Sequence, residues 1–261
     1  MKLLIDAGNT RIKWALVNGD EWLISRVLPA RQADELPQHI ANQLGISGGK
    51  SATSLHDIQQ IWVSNVAGAE VAQHIRSICT SQSGQPHFVV ASATQCGVRN
   101  GYSSPSQLGS DRWSALIAAW HLVRGKCMVV NSGTATTIDS LSGQGEFLGG
   151  LILPGVELMQ HSLIAATAEL KAARGKYAPF PLNSADALFS GVMQASCGAI
   201  ERQYALLNDD SAPVILSGGA AELLLPWLNQ KLFSVPPRIV DNLVLHGLLL
   251  IAREMETKAN A

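Results

Sequence analysis

Charge is scarce in this chain. Lys, Arg, Asp and Glu make up 15% of 261 residues and nearly cancel, leaving a net charge of −1. No basic run is present, which argues against a surface built to neutralise nucleic-acid phosphates. No apolar stretch reaches the ~18 residues of a membrane span, so no membrane partner is expected. The N-terminus enters an apolar segment directly, without the charged region and cleavage site of a signal peptide. The four cysteines, Cys79, Cys96, Cys127 and Cys197, are scattered. With no CxxC or HExxH spacing, a zinc site is not expected, and free thiols suit a reducing cytoplasm. What the chain does have is 47% hydrophobic residues, enough for one large domain or two lobes with substantial cores.

The most informative stretch runs from Leu3 to Val17. Leu3, Leu4 and Ile5 end on a carboxylate, Asp6; Gly8-Asn9-Thr10 follows as a turn; then Ile12, Trp14 and Leu16 alternate with Arg11, Lys13 and Ala15. An apolar run, a glycine turn and a period-two segment predict a β-hairpin. Gly8 lets backbone N–H groups approach an anion, Thr10 adds a hydroxyl, Lys13 a compact positive charge, and Asp6 a hard oxygen ligand for Mg²⁺. Such a hairpin has the parts to hold a metal-bound polyphosphate, although an ordinary tight turn would read the same way in isolation.

A second copy shifts that balance. Residues 129–138, VVNSGTATTI, repeat the pattern, with Asn131 and Gly133 each 125 residues beyond Asp6 and Gly8. The offset is close to half the chain, which predicts two related lobes with a ligand cleft between them.

Around these hairpins the expected order is a third strand over 21–28, a helix over 31–44, a loop over 45–54, a strand over 58–64, a helix over 69–81 and a strand over 87–91. This order resembles a ribonuclease-H-like lobe. A Gly/Ser/Pro loop over 96–108 then leads to Gly109-Ser110-Asp111-Arg112-Trp113 and a strong helix over 113–123. Ser110 or Asp111 would serve as its N-cap, and a cap is the plain alternative to any chemical role for Asp111. The second half predicts strands over 126–130, 134–141 and 144–153, helices over 156–169 and 185–207, a strand over 213–216, the Gly pair of Ser217–Ala221, a strand near 232–235, and an apolar helix from Asp241 to about Met255.

Taken together, four segments resemble the type III pantothenate kinases of the acetate and sugar kinase, Hsp70 and actin superfamily: DAGNTRIK (Asp6–Lys13), GSDRW (Gly109–Trp113), NSGTATTID (Asn131–Asp139) and GGLILPG (Gly149–Gly155). The resemblance implies an α/β fold of two ribonuclease-H-like lobes, here drawn as 1–112 and 113–261, and transfer of the ATP γ-phosphoryl to pantothenate. It also implies ATP contacts from Asp6, Ala7, Gly8, Asn9, Thr10, Arg11, Ile12, Lys13 and Thr134. Asp6 would organise Mg²⁺ or Mn²⁺, and Asp111 would be the general base. Tyr102, Gly109, Ser110, Asp111, Arg112 and, across a homodimer interface, Ser184 would hold pantothenate. Asn131 departs from the family's usual Asp at a monovalent-cation position, so dependence on K⁺ or NH4⁺ is expected to weaken. Other readings are a two-metal nuclease, for which Asp6 and Asp139 are the only obvious strand-associated candidates, a non-catalytic regulatory relative, and a kinase of another hydroxyl acceptor.

Overall fold

A computed structural model of the protein describes residues 1–46, 57–78, 84–170 and 174–260. Most of the loop expected over 45–54, the end of the helix expected to reach Ser81, and Cys79 lie outside them. Compactness divides the chain into Met1–Ala118 with Asn242–Ala261, and Ala119–Asp241.

The first unit grows from the expected hairpin. Strand β1 (Lys2–Ala7) pairs antiparallel with β2 (Arg11–Asn18), and β2 with β3 (Glu21–Pro29). Next come α1 (Leu36–Ile46), β4 (Gln60–Asn65), α2 (Ala69–Arg76) and β5 (His87–Phe88), with β4 parallel to β1 and β5 parallel to β4. Pro37 falls in the first turn of α1, where its missing N–H costs no helical bond. A small hairpin of β6 (Thr94–Gln95) and β7 (Val98–Arg99) precedes α3 (Ser110–Val123).

Successive strand residues face opposite sides of a sheet. Leu3, Ile5 and Ala7 of β1, Ile12, Trp14 and Leu16 of β2, and Ile61 and Val63 of β4 join one core with residues of α1 and α2. Leu4, Asp6, Lys13, Trp62 and Ser64 therefore belong to the opposite face. This alternation decides which polar groups can meet.

The second unit repeats the design. It comprises β8 (Cys127–Ser132), β9 (Ala135–Leu141), β10 (Phe147–Pro154), α4 (Val156–Ala166), α5 (Ser184–Leu206), β11 (Val214–Ser217), a short α6 (Ala221–Leu224) and β12 (Arg238–Ile239). Its sheet order, β10-β9-β8-β11-β12, is the counterpart of β3-β2-β1-β4-β5, with the same parallel and antiparallel neighbours. Met193, Cys197, Ile200 and Tyr204 of α5 fill the core against Val130, Ile138, Val214 and Leu216.

Three expectations need correction. The division at 112/113 placed the closing helix, α7 (Leu243–Ala259), in the second lobe, but α7 packs on β1, β2 and β4 of the first unit. The second face of that sheet carries apolar Leu4 and Trp62 and needs a cover; Gly247 lets α7 lie close against α3, since a Cβ there would be 1.9 Å from Ser114 O. The strand expected near 232–235 is instead a 3₁₀ turn followed by irregular chain, and pairing starts at Arg238. Pro236 and Pro237 lack the N–H groups a ladder needs. Finally, α3 starts at Ser110, so neither Ser110 nor Asp111 is its cap; Gly109 O accepts from Trp113 N at 2.9 Å.

Candidate functional site

In the first unit, Asp6 is paired in register with Lys13 on one side and Ser64 on the other, so all three project from one face. Ser64 is wholly buried, and its Oγ lies 2.9 Å from Ser110 Oγ at the start of α3. The hydroxyl pair brings the first turn of α3, and with it Asp111, beside the Asp6 strand. Asp6 is pushed up to about 7, first by burial and then by the charge of Asp111, with Lys13 pulling the other way. Asp6, Lys13 and Asp111 thus form one electrostatic group, although the last lies about a hundred residues from the others.

The Asp111 carboxylate folds back over the helix mouth, where Oδ1 accepts from Arg112 N at 2.8 Å. Gly109 leaves room for it: a Cβ at that position would sit 2.5 Å from Asp111 Oδ1. Arg112 is buried and donates from Nη1 to Tyr102 Oη at 3.0 Å, with its guanidinium also lying over the Tyr102 ring. Asn100 braces that loop, accepting from Tyr102 N at 3.0 Å and donating to Pro105 O at 3.1 Å.

The turn itself is closed by Gly8 N donating to Arg11 O at 3.1 Å, and Ala30 N donates to Thr10 O. Asn9, Thr10 and Arg11 are exposed; Ala7 and Ile12 are buried, with Ile12 in the core. Ala7 and Ile12 therefore frame the turn through their backbone.

In the second unit, Gly133 N donates to Ala135 O at 2.9 Å. This turn is one residue shorter than the first: Ala7 pairs with Ile12, but Ser132 pairs with Thr136. The repeat offset therefore falls from 125 to 124 past the glycine, and Thr134 becomes the counterpart of Thr10. Two glycines crowd this turn. A Cβ on Gly155 would be 2.1 Å from Gly133 O, and one on Gly218, whose φ is +95°, would be 2.3 Å from Ser132 O and 2.8 Å from Asn131 Oδ1. Thr134, Asn131, Gly155 and the Ser217–Ala221 segment thus meet within one unit. Ser184 is exposed in the first turn of α5, beside the N-cap Asn183, whose side chain accepts from Asp186 N at 2.9 Å.

Sequence reasoning missed Ser64 and Asn100. The signal for Ser64 was a lone hydroxyl ending an apolar strand; Asn100 lay in a loop whose composition gave no hint of its bonds. Among the described residues, no group of three or more His, Cys, Asp or Glu could hold a metal ion by itself, and no helix is long and apolar enough to cross a membrane.

Two sheets of the same strand order, each opening on a glycine turn, define the two-lobed α/β fold of the actin-like ATPases and sugar kinases. In line with this, the activator of 2-hydroxyisocaproyl-CoA dehydratase from Clostridium difficile superposes with a TM-score of 0.52 at 10% identity, covering 100% of this chain and 97% of that one, a likeness of fold alone. Residues 2–206 match the family model of type III pantothenate kinases. A type III pantothenate kinase from Nitrosospira multiformis is 44% identical over 261 residues, covering 99% of this chain and 93% of that protein. Another from Aromatoleum aromaticum is 44% identical over 255 residues, covering 97% and 98%. The chain belongs to the type III pantothenate kinase family.

Proposed function

We propose that this chain transfers the γ-phosphoryl group of ATP to the primary hydroxyl of pantothenate, giving 4'-phosphopantothenate, the first step of coenzyme A biosynthesis. The observation that carries this reading is the electrostatic group of Asp6, Lys13 and Asp111 at the first glycine turn, in a chain of this family. Phosphoryl transfer needs positioning and charge neutralisation more than covalent help. Asp111, half-buried at the mouth of α3, is the general base: it orients the acceptor hydroxyl and takes its proton. Lys13 and the N–H groups of Gly8, Asn9 and Thr10 neutralise phosphate, and Thr134 adds a hydroxyl from the duplicated turn. Tyr102 and Arg112, held together as a pair, bind polar groups of pantothenate with the backbone of Gly109 and Ser110.

The donor set fits a divalent cation, Mg²⁺ or Mn²⁺. Asp6 is a carboxylate with a second carboxylate charge close by, an excess of negative charge that a hard cation relieves. Asp6 would hold the ion, which when bound would offset the charge on the phosphates. A monovalent cation, K⁺ or NH4⁺, finds a poorer seat at Asn131, which is neutral and offers one carbonyl oxygen.

The same reading includes a homodimer. Leu148, Leu151 and Ile152 of β10, Leu158 and Leu163 of α4, and Phe180 and Leu182 before α5 are all exposed, an apolar surface suited to a second copy. Ser184 lies two residues beyond Leu182, where it would reach substrate across that interface. A cytoplasmic location, where ATP is abundant, goes with this assignment. Burial pushes the free thiols of Cys127 and Cys197 up to about 12, so both remain protonated and unreactive there.

The test is coupled ADP release over a panel of hydroxyl acceptors, with ATP and other triphosphates. Pantothenate is expected to give the highest kcat/KM; absence of pantothenate-dependent release, or a better sugar substrate, overturns the assignment. Sedimentation equilibrium of wild type and Ile152→Lys tests the dimer.

A further inference from the structure

We propose that Ser64 is a positioning residue: its hydroxyl, bonded to Ser110 Oγ, holds the helix that carries Asp111 in register with the strand that carries Asp6. The proposal rests on the function given above and names a residue outside the four segments that carry the family resemblance.

The argument starts from what surrounds Ser64. It ends an apolar strand, its side chain is 0% exposed, and its register partner in β1 is Asp6. A hydroxyl taken out of water needs a partner, and Ser64 has Ser110 Oγ, 46 residues away on another element. Full burial keeps Ser64 from touching a ligand, so its effect must pass through Ser110. The first turn of a helix is the turn most prone to fraying, because its leading N–H groups have no intrahelical acceptor. Asp111 sits in that turn. The bond from Trp113 N to Gly109 O closes that turn around Asp111, and the Ser64–Ser110 pair adds a tether to the sheet. The helix mouth and the Asp6 strand then move as one body, which keeps the carboxylate of Asp111 at a constant distance from the turn that holds phosphate. Loss of the tether lets that distance vary, and reactions that depend on near-attack geometry are steeply sensitive to such freedom.

A merely structural pair would lower the melting temperature and leave the folded enzyme's kcat intact, so the test reads position directly. Ser64→Ala, Ser110→Ala and the double variant are compared with wild type by residue-resolved amide hydrogen exchange and by steady-state kinetics. Exchange at the Trp113 amide is expected to rise about tenfold in each variant, with the middle of α3 unchanged. Turnover is expected to fall about tenfold in Ser64→Ala while KM for ATP and pantothenate stays within about twofold. The double variant should fall no further than the lower of the two single variants, because the tether can be lost only once. If Ser64→Ala does not fold, Ser110→Ala carries the same exchange reading. Unchanged exchange at Trp113, or a kcat within about twofold of wild type in folded Ser64→Ala, overturns the proposal. So does failure of both single variants to fold, since the pair would then determine the fold and not the position. A wild-type chain without pantothenate-dependent turnover overturns the assigned function instead, and the exchange measurement then decides the tether alone.

Discussion

Asp6 and Asp111 repel each other across the face of the first sheet, and the repulsion adds to burial in raising Asp6 to about 7 from its ordinary 3.8. A carboxyl whose folded value lies above its unfolded value binds extra protons in the native state, so its contribution to stability falls as pH rises. The loss develops from about pH 4 and is complete above about pH 7. Asp6→Asn is therefore expected to stabilise the ligand-free protein at pH 8 by on the order of 1–3 kcal/mol and to flatten this slope. Urea melts of both proteins at pH 5 and pH 8 measure it. Equal differences at the two pH values would show that Asp6 carries no such burden.

Removing the base should separate chemistry from folding. Asp111→Asn keeps the size of the side chain and an acceptor oxygen for Arg112 N, but not the basicity. Its kcat is expected to drop by roughly 10²–10⁴ with a melting temperature close to wild type. Turnover like that of wild type would remove Asp111 from the role.

Two glycine substitutions should fail in different ways. At Gly109 the added methyl meets the far end of the Asp111 side chain, which can swing aside by giving up its bond from Arg112 N. Gly109→Ala is expected to fold and to lose roughly 10- to 100-fold in kcat as the base is displaced. At Gly155 the methyl meets the carbonyl oxygens of Gly133 and Thr134, which are backbone and cannot yield without moving the turn. Gly155→Ala is expected to cost about 3 kcal/mol or more, read by denaturant melts.

Asn131 tests the cation assignment. Wild type is expected to respond weakly to K⁺ and NH4⁺, and Asn131→Asp, which adds a negative charge beside Gly218, to respond more strongly. Rates measured from 0 to high KCl, with ionic strength held constant by a large organic cation, make the comparison. Steep potassium dependence in wild type would refute it.

Much of the fold was legible because its two signals are local. Alternation in 11–16 and an apolar run into Asp6 marked the first hairpin, and the same pattern at 129–138 announced the repeat. What sequence could not supply were relationships between distant segments. Nothing in the apolar helix at 243–259 says which sheet it covers, because periodicity marks a buried face without naming its partner. The Asp111 segment illustrates the same limit. A Ser-Asp pair before an apolar run reads as a cap, yet the helix already includes Ser110, whose hydroxyl partner, Ser64, lies 46 residues away. The shortened second turn was hidden as well, since a one-residue difference in loop length leaves the flanking strands looking alike.

The placement of α7 also bears on how the protein is made. Strand β1 emerges early, but the helix that covers its second face, with Lys2 joined to Glu256 at 3.0 Å, is translated only after the whole of residues 119–241. The segment between can acquire its own core while the earlier sheet still exposes Leu4 and Trp62 to solvent. Nascent chains halted before residue 242 should therefore present a sticky, protease-sensitive front half behind a resistant middle.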